Sequence, residues 1–125
     1  MPRILVIDDE ESIRNVLCTL LEGAGYEVME AQNGRAGIQQ CRRVSVDLVI
    51  TDIIMPEGEG LETIRELRRS YPGLKIFAMT GARISRQLDI LNIAKAFGAI
   101  RTFDKPFDLD EMLNAVREEV PLTPP

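Results

Sequence analysis

No histidine and no tryptophan occur among the 125 residues. Without an imidazole the chain has no Ser-His-Asp or Cys-His catalysis of its own, no histidine proton shuttle and no phosphohistidine carrier. Cysteine is scarce. Cys18 and Cys41 form no CxxC pair and are too few for a disulfide framework. They read as small apolar residues in a reducing compartment. Long apolar runs are missing too. Met1-Pro2-Arg3 leads into only four apolar residues, Ile4 to Ile7, too short for a signal-peptide core or a membrane span. A cytoplasmic location is the expectation. Cationic charge is in deficit: 15 Lys+Arg against 20 Asp+Glu give 15 − 20 = −5. That balance argues against direct nucleic-acid binding, which needs clustered Lys/Arg against phosphates.

What is present is ordinary for a globular domain: 45% hydrophobic and 28% charged residues. The length suits one domain that folds without a staple. Residues 3–8 form a β-branched apolar run ending in acids, the signature of a strand buried on both faces. Ile13, Val16, Leu17, Leu20, Leu21 and Ala24 follow at helical spacing, and Gly23 and Gly25 stop that helix. Residues 26–31 alternate as a second strand, Asn33-Gly34 reads as a turn, and a weaker helix runs through Ile38 and Cys41. Residues 47–52 are a third strand ending in an acid, and residues 55–60 a loop. Leu61, Ile64 and Leu67 start a helix that Pro72-Gly73 ends. Residues 74–80 are strand, 85–97 helix and 99–103 strand. Asp108, with Glu111 three residues on, caps a last helix whose core face is Leu109, Met112, Leu113, Val116 and Val120. The domain is expected over residues 1–120, with a proline-rich tail or linker stub at 121–125.

Five alternating strands and helices predict an α/β, doubly wound, five-stranded parallel sheet flanked by five helices. Such sheets place ligands at the carboxyl ends of their strands. Those ends carry Asp8 and Asp9, Asp52, Thr80 and Lys105. Three close carboxylates repel unless a cation joins them, and hard oxygen ligands suit Mg²⁺. Lys105 can neutralise a carboxylate or a phosphoryl group, and Thr80 can donate a hydrogen bond to one. A carboxylate nucleophile, a hydroxyl donor and a lysine make a phosphoryl-transfer site. Each residue has a plainer reading: Asp8 or Asp9 as a helix cap, Asp52 as a turn former, Thr80 as a strand residue, Lys105 as a solvated lysine.

The motifs Ile7-Asp8-Asp9, Asp52 with Met55-Pro56 and Gly60-Leu61-Glu62, Thr80-Gly81-Ala82, and Lys105-Pro106-Phe107 resemble the receiver domain of bacterial two-component response regulators, the CheY-like family. The likeness spans residues 3–120, and its strength lies in five weak motifs in the right order. The resemblance implies a flavodoxin-like fold of strand order 2-1-3-4-5. It implies that Asp52 accepts a phosphoryl group from the phosphohistidine of a histidine kinase or histidine phosphotransfer protein. Mg²⁺ would lie on Asp8, Asp9, Asp52 and the backbone carbonyl of Ile54, with Asp8 acting through water. Thr80 would follow the phosphoryl group, Lys105 would pair with Asp52 and then with the phosphate, and Lys105-Pro106 would be cis. The domain is then a signalling switch, not an enzyme, and its output is contact with a downstream protein. A metal-dependent phosphohydrolase is the competing reading. It wants a second acid two residues after the nucleophile, where Ile54 stands.

The chain departs from the family in places. The aromatic usual three residues before the lysine is Thr102, and alternation turns Phe103 to the opposite face. Thr80 to Lys105 spans 25 positions, about three more than the family's habit, and Leu88 and Leu91 fall off the apolar face of that helix, as a partner or dimer surface would. Ile54 and Ala82 cannot orient an attacking water, so slow self-dephosphorylation is expected. Whether the domain stands alone or heads a longer regulator is open at this point.

Overall fold

A computed structural model describes residues 1–53, 60–81 and 87–122, and only the backbone of residues 87–91. Strands and helices alternate: β1 (Arg3–Ile7), α1 (Glu11–Gly23), β2 (Glu27–Ala31), α2 (Gly34–Arg43), β3 (Leu48–Asp52), α3 (Gly60–Ser70), β4 (Lys75–Gly81), α4 (Gln87–Phe97), β5 (Arg101–Lys105) and α5 (Leu109–Glu119). The five strands form one sheet in the order β2-β1-β3-β4-β5, every neighbouring pair parallel. This is the expected α/β fold. Successive side chains of a strand point to opposite faces, so the sheet builds two cores. On one face Leu5, Ile7, Val49, Ile76 and Ala78 meet Cys41 of α2, Ile64 and Leu67 of α3 and Ala94 of α4. On the other Ile4, Val6, Ile50, Phe77 and Met79 meet Leu17 and Leu21 of α1 and Met112, Ala115 and Val116 of α5. β1 and β3 are buried almost throughout, which is why they read as unbroken apolar runs.

Local chemistry sets the element ends. Gly25, at φ +105°, turns the chain out of α1 in a conformation that disfavours a side chain. Asn33-Gly34 is not a free turn: Asn33 caps α2 by accepting from the Ala36 N–H at 2.8 Å, and Gly34 opens the helix. Asp108 caps α5 as expected, accepting from the Asp110 and Glu111 N–H groups. Two residues assigned to core stripes face solvent instead. Val16 is 44% and Leu109 41% exposed: Val16 sits at the margin of its helix's apolar arc, and Leu109 is the first residue of α5, at the helix end. The fifth strand runs two residues later than its apolar run suggests. Its ladder continues through Asp104 and Lys105, which pair with Thr80 and Gly81. Phe103 takes the α1/α5 face, 5.4 Å from Phe77 by ring centroids, while Thr102 pairs with Ala78 on the other. Among the described residues no helix is long and apolar enough to cross a membrane. Ile54, Met55-Pro56, Ala82 and the side chains of Leu88 and Leu91 lie outside the described residues, as do residues 123–125 of the tail.

Candidate functional site

Parallel pairing brings the carboxyl ends of β1, β3, β4 and β5 to one edge of the sheet. Asp52 closes β3 and Asp8 follows β1, and both carboxylates are buried. Asp9, the next residue, is exposed. One carboxylate oxygen from each of Asp8, Asp9 and Asp52 lies within 4.8 Å of the others. The chain leaves β3 at Ile53 and comes back against the same backbone at Gly60, whose N–H donates to Ile53 O at 3.0 Å. A Cβ on Gly60 would stand 2.4 Å from Asp52 O, so only glycine permits that return.

Lys105 ends β5 and reaches into this corner. Its Nζ donates to Asp8 Oδ2 at 2.7 Å and to Asp52 Oδ2 at 3.3 Å, and stands 3.6 Å from Glu10 Oε1. The peptide bond to Pro106 is cis, as the resemblance implies. Burial pulls the Lys105 ammonium down, but the Asp8 hydrogen bond and the charges of Asp52 and Asp8 outweigh it and hold the group above its ordinary value. Burial raises the Asp8 carboxyl, against the lowering bonds from Lys105 and the Glu10 N–H. Asp8 caps nothing in the helical sense. Glu10 occupies the N-cap of α1 without a side-chain cap bond, and Asp8 Oδ1 accepts the Glu10 N–H at 2.9 Å.

Thr80 lies one residue before the end of β4, fully buried. Its Oγ1 is the one buried side-chain oxygen or nitrogen without a hydrogen-bond partner among the described residues. A buried hydroxyl costs about 1–3 kcal/mol when unpaired, a cost that an acceptor from outside the chain would relieve. The donor set also fits a hard divalent cation: three carboxylates converge on one another, all oxygen, with no thiolate or imidazole. The sequence-read residues Asp8, Asp9, Asp52 and Lys105 thus come together, and Thr80 lies near the end of the neighbouring strand β4. Two residues of this corner escaped the sequence reading. Glu10 adds a carboxylate beside Lys105, and Arg14 donates to Asp8 O at 2.8 Å. The signal for Arg14 was a cation between Ile13 and Val16-Leu17, on the inward side of a helix.

The family model for the response regulator receiver domain matches residues 4–117. The sporulation initiation phosphotransferase F of Bacillus subtilis is 31% identical over 96% of this chain and 94% of its own length. The chemotaxis protein CheY of Thermotoga maritima is 32% identical over 93% of this chain and 95% of its own. In several longer curated relatives the chain spans only 17–24% of the length. Among solved structures, the response regulator protein TrrA of Thermotoga maritima, in complex with Mg(2+)-BeF, superposes with a TM-score of 0.84 at 35% identity, covering 96% of this chain and 100% of that one.

Proposed function

This chain belongs to the response regulator receiver family, and we propose that within it Asp52 is the phosphoacceptor of a Mg²⁺-dependent switch that changes protein contacts. The observation that carries this reading is the corner itself, in which Asp52 stands beside Asp8 and Asp9 with the Lys105 ammonium 3.3 Å from its Oδ2. Asp52 attacks the phosphorus of a phosphohistidine or of a small phosphodonor. A carboxylate O–P bond forms and the donor's bond to phosphorus breaks; a leaving imidazole takes up a proton, whereas acetate leaves as its anion. Chemistry of this kind needs positioning and positive charge more than covalent help. Lys105 supplies a fixed cation beside Asp52. The Thr80 hydroxyl, unpartnered among the described residues, donates to a phosphoryl oxygen once one arrives. Asp9, Asp52 and the Ile54 carbonyl would hold Mg²⁺, with Asp8 acting through water, and the bound cation would neutralise charge on the phosphoryl oxygens.

The donor histidine is not among these 125 residues. It belongs to a kinase or a phosphotransfer protein, and the output is to a protein partner in the cytoplasm. The −5 charge disfavours direct contact with nucleic acid. The chain is a signalling domain that assists its own phosphorylation and turns over no substrate. Intact mass after treatment with acetyl phosphate and Mg²⁺ tests the reading. One added phosphoryl group on the wild type and none on Asp52→Asn is expected. No adduct on either protein overturns it.

A further inference from the structure

Arg14 takes no part in the phosphoryl chemistry, yet its guanidinium ends beneath the acid corner. Nη1 donates to the carbonyl oxygen of Asp8 and Nε to Glu30 Oε1, each at 2.8 Å. The side chain is 13% exposed. Its two acceptors sit on different segments, the loop after β1 and the penultimate residue of β2. The far anchor is firm: Glu30 pairs with Val6 in the sheet, and its carbonyl accepts from Gln40 Nε2 of α2 at 2.7 Å. The Cys18 thiol lies 3.9 Å from Glu30 Oε2. Burial and the Glu30 charge push that thiol up to about 11, so it stays neutral and leaves the carboxylate's charge to Arg14.

The rest of Asp8 is already occupied. Its N–H donates to Ala31 O, Oδ1 accepts from the Glu10 N–H, and Oδ2 accepts from Lys105. Asp9 differs. No described residue bonds its carboxylate, so only the backbone places it. Three carboxylates within 4.8 Å repel one another, and Glu10 and Glu11 continue the same sign along the chain. The loop therefore has an electrostatic reason to splay, and beside the Asp8 N–H bond to Ala31 O the Arg14 fork is the side-chain tie that holds it to β2.

We propose that Arg14 is a positioning residue for the divalent cation. By joining the Asp8 carbonyl to Glu30 it keeps Asp8 and Asp9 converged on Asp52 before the cation arrives. The proposal rests on the reading of this corner as a Mg²⁺ site. Groups that hold metal ligands without touching the metal typically cost 10–100-fold in affinity when lost.

Mg²⁺ binding to the unphosphorylated protein, followed by amide shifts, tests it together with the Mg²⁺ dependence of phosphorylation by acetyl phosphate. Arg14→Ala is expected to weaken Mg²⁺ binding about tenfold. Saturating Mg²⁺ should restore the wild-type maximal phosphorylation rate, which general damage to the fold would not allow. Arg14→Lys keeps the charge but has one nitrogen where two are used, and is expected to remain weakened at least about threefold. Should Arg14→Ala fail to fold, Glu30→Ala removes the anchor at a half-exposed position, and a severalfold loss of Mg²⁺ affinity is expected there. Wild-type affinity in Arg14→Ala, or in Glu30→Ala if Arg14→Ala does not fold, overturns the proposal, and so does full restoration by lysine. A wild type that binds no Mg²⁺ at the corner overturns both this inference and the reading beneath it.

Discussion

At the scale of single residues, the proposed role of the Thr80 hydroxyl would set stability against signalling. It is fully buried and, among the described residues, unpartnered. Thr80→Val keeps the branched shape and removes the stranded oxygen, so it should stabilise the unphosphorylated protein by about 1 kcal/mol, read as a higher urea midpoint at unchanged slope. The same substitution should shrink the amide-shift changes that follow phosphorylation of Asp52, because the phosphoryl group then lacks its hydroxyl donor. A lower midpoint would mean that the hydroxyl has a partner after all. Asp8, Asp9, Asp52, Thr80 and Lys105 were legible in the sequence because each follows or ends an apolar run. Arg14 was not, since its role depends on where α1 lies against β2, and a helical stripe records only that some face is inward. Val16 and Leu109 were misread for a related reason. An apolar residue at the margin of a helix's arc, as Val16 is, or at a helix's first position, as Leu109 is, satisfies the periodicity without reaching the core.

At the scale of elements, the turn from β3 into α3 leaves the least room for change. A methyl group at Gly60 would come within 2.3–2.4 Å of Ile53 O, Asp52 O and Ile53 Cα, all backbone atoms that cannot swing aside. Gly60→Ala should cost about 2–3 kcal/mol and displace the amide signals of Asp52 and Ile53. Gly23→Ala is the internal contrast. Nothing lies within 4 Å of a Cβ there, in the last turn of α1, so the substitution should gain about 0.5–1 kcal/mol in the same urea titration. The element order was readable in full, but the place of β5 was not. Its hydrophobic signal stops at Phe103, while the ladder runs on through Asp104 and Lys105. Those two residues are strand by register with Thr80 and Gly81, and their polarity hides it. The sequence signal for a strand fades where the sheet edge turns to chemistry.

At the scale of the whole molecule, the proposed Mg²⁺ site would couple folding to the cation. Carboxylates that converge only in the folded chain would bind Mg²⁺ there and not in the unfolded chain, so Mg²⁺ at a hundredfold excess over its dissociation constant should add about 2.7 kcal/mol of stability. For a domain of this size the melting midpoint should rise by about 10 °C, and Asp9→Asn should abolish most of the rise. An equal rise in both proteins would place the cation elsewhere. The sheet's direction has a practical corollary. Both described ends lie at the pole opposite the corner: the Pro2 carbonyl accepts from the Glu27 N–H at 3.0 Å, and the Val120 carbonyl accepts from the Tyr26 hydroxyl at 2.7 Å. A fluorescent protein or an immobilising tag fused at either end therefore starts a strand's length, roughly 15 Å, from Asp52. A label mounted there does not shade Asp52.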